Sequence, residues 1–236
     1  MTQSNDPNSD AESAAVLRCW QDNAAPWTAA VREAKIRSRT LVTNKAIVDT
    51  ILAHAPSRVL DLGCGEGWLS WSLAAKDIRV LGVDAIGALV DSAKSSPSDA
   101  EPTPLFRQLD YDKVPLALTG EHFDLIVCNF SLLDQAGVAK LMRAAPSLLT
   151  PSGTLLIQTL HPDYVGTAQT RIDGWRSESW QGIGDDFRGQ APWYYRTMTS
   201  WRRLFTESGL VLTQQIEPPH PETGLPASVI FVLKAG

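Results

Sequence analysis

From Pro56 onward, apolar residues gather into short runs separated by turn residues and by longer stretches of helical character. Five runs follow in succession, at 58–62, 80–83, 105–109, 123–128 and 154–160. They are apolar at nearly every position, not at every second one. Such runs are strands covered on both faces, and the crossover segments between them make the sheet parallel. Two more runs, 210–216 and 228–233, close the chain and bring the strands to seven. The pattern predicts an α/β fold with a doubly wound, mostly parallel sheet.

Helices are expected ahead of the first strand. Pro26 suits the first position of one, since its missing N–H has no partner there anyway. Trp27, Ala30, Val31 and Ala34 then share a face at helical spacing. A second helix is expected over 39–53, with Ile47, Val48, Ile51 and Leu52 as its buried stripe. Residues 1–12 are rich in Asn, Asp and Ser and predict disorder. The rest, 13–236, reads as a single domain, with 13–56 as a helical cover. The stretch 161–200 is too long for a simple connection. It carries Trp175, Trp180, Trp193, Tyr194 and Tyr195 with glycines at 174, 182, 184 and 189, and predicts a helical or looped insert acting as a lid.

Composition narrows the class. The chain is 44% hydrophobic and 20% charged, with a net charge of -5. An acidic balance argues against a nucleic-acid partner, which draws on basic patches. No run approaches the roughly 18 apolar residues of a membrane span, and the first ten residues lack a signal-peptide core. Cys19, Cys64 and Cys128 form neither a CxxC pair nor a metal-ligand spacing. Sparse, unpaired cysteines fit a reducing compartment, so the expected location is the cytoplasm. No metal site is expected, no membrane is expected as a partner, and nothing fixes an oligomeric state.

The chemistry concentrates in Val59-Leu60-Asp61-Leu62-Gly63-Cys64-Gly65-Glu66-Gly67. A buried strand ends in a glycine-rich turn that opens a helix containing Leu69, Trp71 and Leu73. Ligands in such sheets bind beyond the carboxyl ends of the strands. A dinucleotide fingerprint needs a third glycine where Trp68 stands, for close helix–strand packing. The carboxylate of Asp61, two positions before the first glycine, suits a ligand with a cationic amino-acid end and suits a pyrophosphate poorly.

Asp61 to Gly67 resembles the first motif of the class I S-adenosylmethionine-dependent methyltransferases, of the small-molecule type. The resemblance continues in order: Leu81-Gly82-Val83-Asp84, Gln108-Leu109-Asp110-Tyr111, Phe123 to Asn129, and Leu148 to Ile157. It covers about residues 57–160. It implies a seven-stranded sheet with the last strand antiparallel, S-adenosylmethionine as cofactor, and in-line SN2 methyl transfer to a small molecule. By this resemblance Asp61 lies at the ribose and amino-acid end of the cofactor, and Gly63 and Gly65 allow close backbone approach. Asp84 holds the ribose hydroxyls, Ala85 and Ile86 wall the adenine, and Asp110 meets its amino group. Tyr111 either stacks nearby or faces solvent. Asn129 and Phe130, with Ser131 and Leu132, border the methionine part and the transferred methyl. Arg39 is the first candidate to pair the cofactor carboxylate, with Arg37 or Arg32 as alternatives. Trp20 and Trp27 are read as packing.

On the acceptor side, His161 at the start of the insert is a candidate base and Tyr194 a candidate pocket residue. Asp134 and Glu178 are further possible bases. After the fourth strand stands Asn129-Phe130-Ser131-Leu132, not the Pro-Pro-aromatic of DNA amino-methylases, and Val127 precedes Cys128 where cytosine-C5 enzymes have proline. Both departures point away from nucleic-acid bases. Rival readings are a nicotinamide-dependent oxidoreductase, a non-catalytic cofactor-binding module, and an RNA or protein methyltransferase.

Overall fold

The computed structural model describes residues 7–96 and 99–236. Seven strands form one sheet: β1 (Arg58–Leu62), β2 (Arg79–Asp84), β3 (Leu105–Gln108), β4 (Phe123–Asn129), β5 (Leu149–Thr159), β8 (Leu210–Ile216) and β9 (Val229–Ala235). The order is β3-β2-β1-β4-β5-β9-β8. Pairing is parallel from β3 through β5, and β9 runs antiparallel to both β5 and β8. The chain therefore reverses its winding between β1 and β4, which is the switch point of the sheet.

The near-continuous apolar runs have a simple cause. Leu60 and Leu62 face one side, with Ile126, Cys128, Leu155 and Ile157. Val59 faces the other, with Leu125, Val127 and Leu156. The first face is covered by α7 (Ala136–Leu148) and α8 (Met198–Glu207), through Leu141, Met142, Trp201 and Phe205. The second is covered by α3 (Asn44–Ala53) and α4 (Trp68–Ala74), through Ile47, Ile51, Leu69 and Leu73. Each such side chain, taken fully from water, contributes about 1.5–3 kcal/mol. The shorter α5 (Gly87–Lys94) follows β2, and α6 (Val114–Ala117) follows β3.

Strand positions match the sequence pattern closely, with one extension. β5 begins at Leu149, not Thr154, and its pairing with β4 shifts register between Phe123 and Leu125. The N-terminal region differs more. Helix α1 spans Pro7–Asp22, so the segment expected to be disordered through residue 12 is helical from Pro7 on. The expectation for residues 1–6 lies outside the described residues. Helix α2 spans Ala24–Arg32, placing Pro26 third and not first. Its buried residues are Ala24, Thr28 and Ala30, while Ala34 lies beyond its end at φ 57°. The expected 39–53 helix is a π-helical turn, Arg39–Thr43, running into α3.

The insert after β5 is also different from expectation. Two short 3₁₀ turns, Pro162–Tyr164 and Ala168–Thr170, lead into an antiparallel ribbon of β6 (Gly174–Glu178) and β7 (Ala191–Tyr195). The three consecutive aromatics Trp193, Tyr194 and Tyr195, with Pro192 before them, suit a strand better than a helix interior. Among the described residues, no helix is long and apolar enough to cross a membrane.

Candidate active site

A cavity of about 900 Å³ opens at the carboxyl ends of the parallel strands. Its floor comes from the turn after β1, the ends of β2, β4 and β5, and the turn after β3. Its roof comes from α1, α2, the segment around the π-helical turn, and the ribbon. This volume lies at the upper end of ordinary ligand pockets, ~300–1,000 Å³, and gives room for two ligands side by side.

The glycine turn is fixed from below. Gly63, Gly65 and Gly67 all have positive φ, at 75°, 56° and 87°, which a side chain would strain. The N–H groups of Gly63 and Cys64 donate to the Val83 carbonyl at 2.8 and 3.0 Å, tying the turn to β2. A Cβ at Gly63 would lie 2.3 Å from that of Ser131, so the turn abuts the end of β4. At Gly65 a Cβ would meet only Trp27 Nε1, at 3.8 Å. The backbone at 65 therefore faces open space, as a closely approaching ligand requires.

Asp84 closes the turn from the side. Its Oδ2 accepts from the Gly65 N–H at 2.9 Å and its Oδ1 from the Ile86 N–H at 2.8 Å. Burial raises its pKa, and the backbone donors oppose the rise. Ala85 and Ile86 continue the wall, and Ile86 packs with Leu89, Trp20 and Trp27. Asp110 and Tyr111 line the next part. The Asp110 carboxylate pairs with Lys113 at 2.6 Å. Tyr111 is half-buried and its hydroxyl donates to the Ser131 carbonyl at 2.9 Å. Asn129 and Phe130 complete the floor. Asn129 Oδ1 is buried without a hydrogen-bond partner, an acceptor ready for a cationic donor. Phe130 has φ 54°, a strained conformation for a non-glycine residue and one that clusters at functional sites.

Arg39 reaches the same end of the cavity. Its guanidinium carbon lies 4.9 Å from the Trp68 ring and 5.6 Å from the Trp27 ring, and Nε donates to Asn44 at 3.3 Å. Burial lowers its pKa against the field of Glu66, whose own carboxyl is raised by burial and lowered by Arg39. Arg37, the alternative, is exposed and paired with Glu222, and Arg32 donates to the Ser92 carbonyl.

Two expected site residues are not brought to the wall. Asp61 is 1% exposed and lies behind the turn, its Oδ2 accepting from Ser70 Oγ at 2.7 Å. Burial pushes its carboxyl up to about 7, against the Ser70 bond. His161 is 4% exposed and caps the first 3₁₀ turn, Nδ1 accepting from the Asp163 N–H at 3.2 Å. Its Nε2 lies 3.2 Å from Glu217 Oε1, away from the cavity lining. The residue expected as a base thus caps a turn and faces Glu217, outside the cavity lining.

Tyr194, by contrast, lines the cavity, as do Asp134 and Glu178. The Tyr194 hydroxyl accepts from Gln135 Nε2 at 3.1 Å, and its ring meets Trp175 edge-on at 5.5 Å. Trp20 and Trp27, read from the sequence as packing, both line the roof. Trp20 meets Trp27 at 4.9 Å and Trp180 at 5.7 Å, each edge-on. Glu66 and Arg196 were not singled out by the sequence, yet both line the cavity, as do Trp68 and Ser131. For Glu66 a signal existed: a charge between two glycines of a buried turn. For Arg196 none did, because its placement depends on the ribbon. Among the described residues, no cluster of three His, Cys, Asp or Glu side chains is placed to hold a metal.

A methyltransferase-domain family model matches residues 35–215 of this sequence, most of the chain. The chain belongs to that family. Among individual proteins, it is 32% identical over 121 residues to a malonyl-[acyl-carrier protein] O-methyltransferase of Legionella pneumophila. That segment covers 50% of this chain and 42% of the relative. An uncharacterized methyltransferase of Mycobacterium tuberculosis is 27% identical over 66% of this chain and 75% of its own length. A ubiquinone biosynthesis O-methyltransferase of Xanthomonas euvesicatoria is 32% identical over 48% of this chain and 47% of its own. The chain thus spans under half the length of two of these relatives. In fold it is similar to the magnesium protoporphyrin IX methyltransferase of Synechocystis, solved with bound S-adenosylhomocysteine. There the TM-score is 0.67 at 18% identity, covering 95% of this chain and all of that one. It is likewise similar to an S-adenosylmethionine-dependent methyltransferase of Clostridium acetobutylicum, with a TM-score of 0.62 at 15% identity, covering 80% and 89%.

Proposed function

We propose that this protein transfers a methyl group from S-adenosylmethionine to a small-molecule acceptor. One observation carries the reading. The open backbone of Gly65 and the buried carboxylate of Asp84 converge at the switch point of the sheet, where Asn129 adds an unpaired acceptor. That set fits a ligand with a ribose diol and a cationic amino-acid end. It fits a dinucleotide poorly, because Trp68 stands at the third-glycine position and carries its ring over Arg39.

In this reading Asp84 accepts from the ribose hydroxyls, while Ala85, Ile86 and Asp110 surround the adenine. Asn129 accepts from the amino-acid ammonium, and Arg39 pairs with the carboxylate. Bound there, the cofactor supplies an electrophilic methyl on a sulfonium. The chain's part is to hold the acceptor in line with it, which removes several kcal/mol of barrier, and to exclude water with its aromatic roof. Tyr194 stands on the acceptor side, and Asp134 and Glu178 are the carboxylates within reach of an acceptor proton. We further infer that 13–236 acts as one domain and that the protein works in the cytoplasm as a small-molecule enzyme.

Isothermal titration of the purified protein with S-adenosylmethionine, S-adenosylhomocysteine and NADH tests the reading. Micromolar binding of the first two and none of NADH is expected. Binding of NADH alone would overturn it.

A further inference from the structure

Arg196 follows β7 directly and lines the cavity on the side of Tyr194. It is only 5% exposed. Its Nη2 donates to the carbonyls of Asp134 and Gln135, both at 2.9 Å, and so holds the chain entering α7. Its Nη1 is buried with no hydrogen-bond partner. The guanidinium carbon lies 4.8 Å from the Tyr194 ring and 5.1 Å from the Trp201 ring. Among the described residues Arg196 forms no ion pair.

A buried cation with no acid in direct contact is costly, even in the fields of Asp134 and Asp173. The nearest acids are engaged elsewhere. Asp134 accepts from Ser13 and from the Gly137 N–H. Asp173 accepts from the Thr197 N–H at 2.7 Å and lies 4.0 Å from Arg203. Burial pulls the Arg196 guanidinium down to about 10, so it stays charged at neutral pH. Holding two carbonyls explains one η nitrogen and leaves the other unexplained. Lys140, exposed on the same wall, also forms no ion pair among the described residues.

We propose that Arg196 binds an anionic group of the methyl acceptor, which makes that acceptor a carboxylic acid with an apolar body. This rests on the methyl-transfer reading and deepens it. The anion is a monoanionic carboxylate, because Asp134 and Glu178 on the same cavity would repel a phosphate dianion more strongly. The apolar body follows from Trp193, Tyr194 and Trp201 around the site. In the methyl-transfer reading the cofactor's own carboxylate is served by Arg39, which lies over Trp68 beside the glycine turn.

The test uses the full chain loaded with S-adenosylhomocysteine. Benzoate and indole-3-acetate are titrated into it by calorimetry, with benzamide and indole-3-acetamide as uncharged partners. At least one acid is expected to bind at millimolar concentration or better, roughly tenfold more tightly than its amide. Arg196→Gln should bring acid binding down to the amide level and leave affinity for S-adenosylhomocysteine unchanged. Arg196→Lys should keep part of the preference, having the charge without the planar fork. If Arg196→Gln does not fold, the wild-type preference and its reduction in Arg196→Lys decide. Equal binding of acid and amide, no acid binding by the loaded wild type, or a preference that survives the substitution would each overturn the proposal. So would weaker S-adenosylhomocysteine binding in Arg196→Gln, which would assign the anion to the cofactor. Failure of the wild type to bind S-adenosylhomocysteine at all is a separate result and defeats the methyl-transfer reading itself.

Discussion

In the proposed reading, cofactor recognition turns on Asp84, at the carboxyl end of β2. Both oxygens of Asp84 are held by backbone N–H groups, so the carboxylate is set in place before any ligand arrives. Asp84→Ala should weaken S-adenosylhomocysteine binding by about 1.5–3 kcal/mol, or roughly ten- to a hundredfold. Calorimetry reads this directly, and circular dichroism confirms that the variant folds. Undiminished affinity would remove Asp84 from the site. This position was legible because it ends an apolar run, about twenty residues after the glycine turn. His161 was not, because a histidine at a strand end looks the same in sequence whether it turns toward a cavity or caps the next turn. The deciding contact is with Glu217, which lies 56 positions further on and could not be anticipated from local pattern.

At the scale of elements, strands were read well and helices before Pro56 less well. A strand buried on both faces leaves an unbroken apolar signature, and β1 begins and ends where the run does. Helix α2 gives no such cue, since its buried positions are the small residues Ala24, Thr28 and Ala30 while its tryptophan points to the ligand side. The ribbon of β6 and β7 was hidden for another reason. Its strands are five residues each, and they are separated by twelve residues that give no hairpin turn signal. The ribbon's chemistry can still be separated from the sheet's. Tyr194 hangs from β7, with its N–H donating to the Leu133 carbonyl at 2.8 Å, and in the proposed reading it serves the acceptor side. Tyr194→Ala should therefore leave S-adenosylhomocysteine affinity within about twofold while cutting turnover by about tenfold or more. A large loss of cofactor affinity would move this residue to the other side of the cavity.

For the whole molecule, the buried carboxyl of Asp61 links stability to pH. Its folded pKa of about 7 lies above the ordinary 3.8. Between those values the folded state binds more protons than the unfolded one, so stability falls as pH rises and the loss is complete above about 7. Asp61→Asn lacks this titration. In thermal unfolding of the ligand-free protein, the variant should gain on the wild type as pH goes from about 5 to about 8. A difference in melting temperature that stays constant across that range would show that Asp61 does not titrate there.

The contact between the end of α1 and the connection from β6 to β7 has a practical consequence. Asn23 and Arg188 exchange two hydrogen bonds, at 3.0 and 2.7 Å, and Cys19 Sγ donates to the Gln190 carbonyl at 3.3 Å. Burial pushes all three thiols up in pKa, and the other two are also closed off from solvent, Cys64 at 5% and Cys128 at 0% exposed. Cys19 is half-buried, at the seam where the two halves of the roof meet. The molecule thus carries its own chemical reporter: the rate at which a thiol reagent labels Cys19 measures how often that seam parts, with no engineered probe.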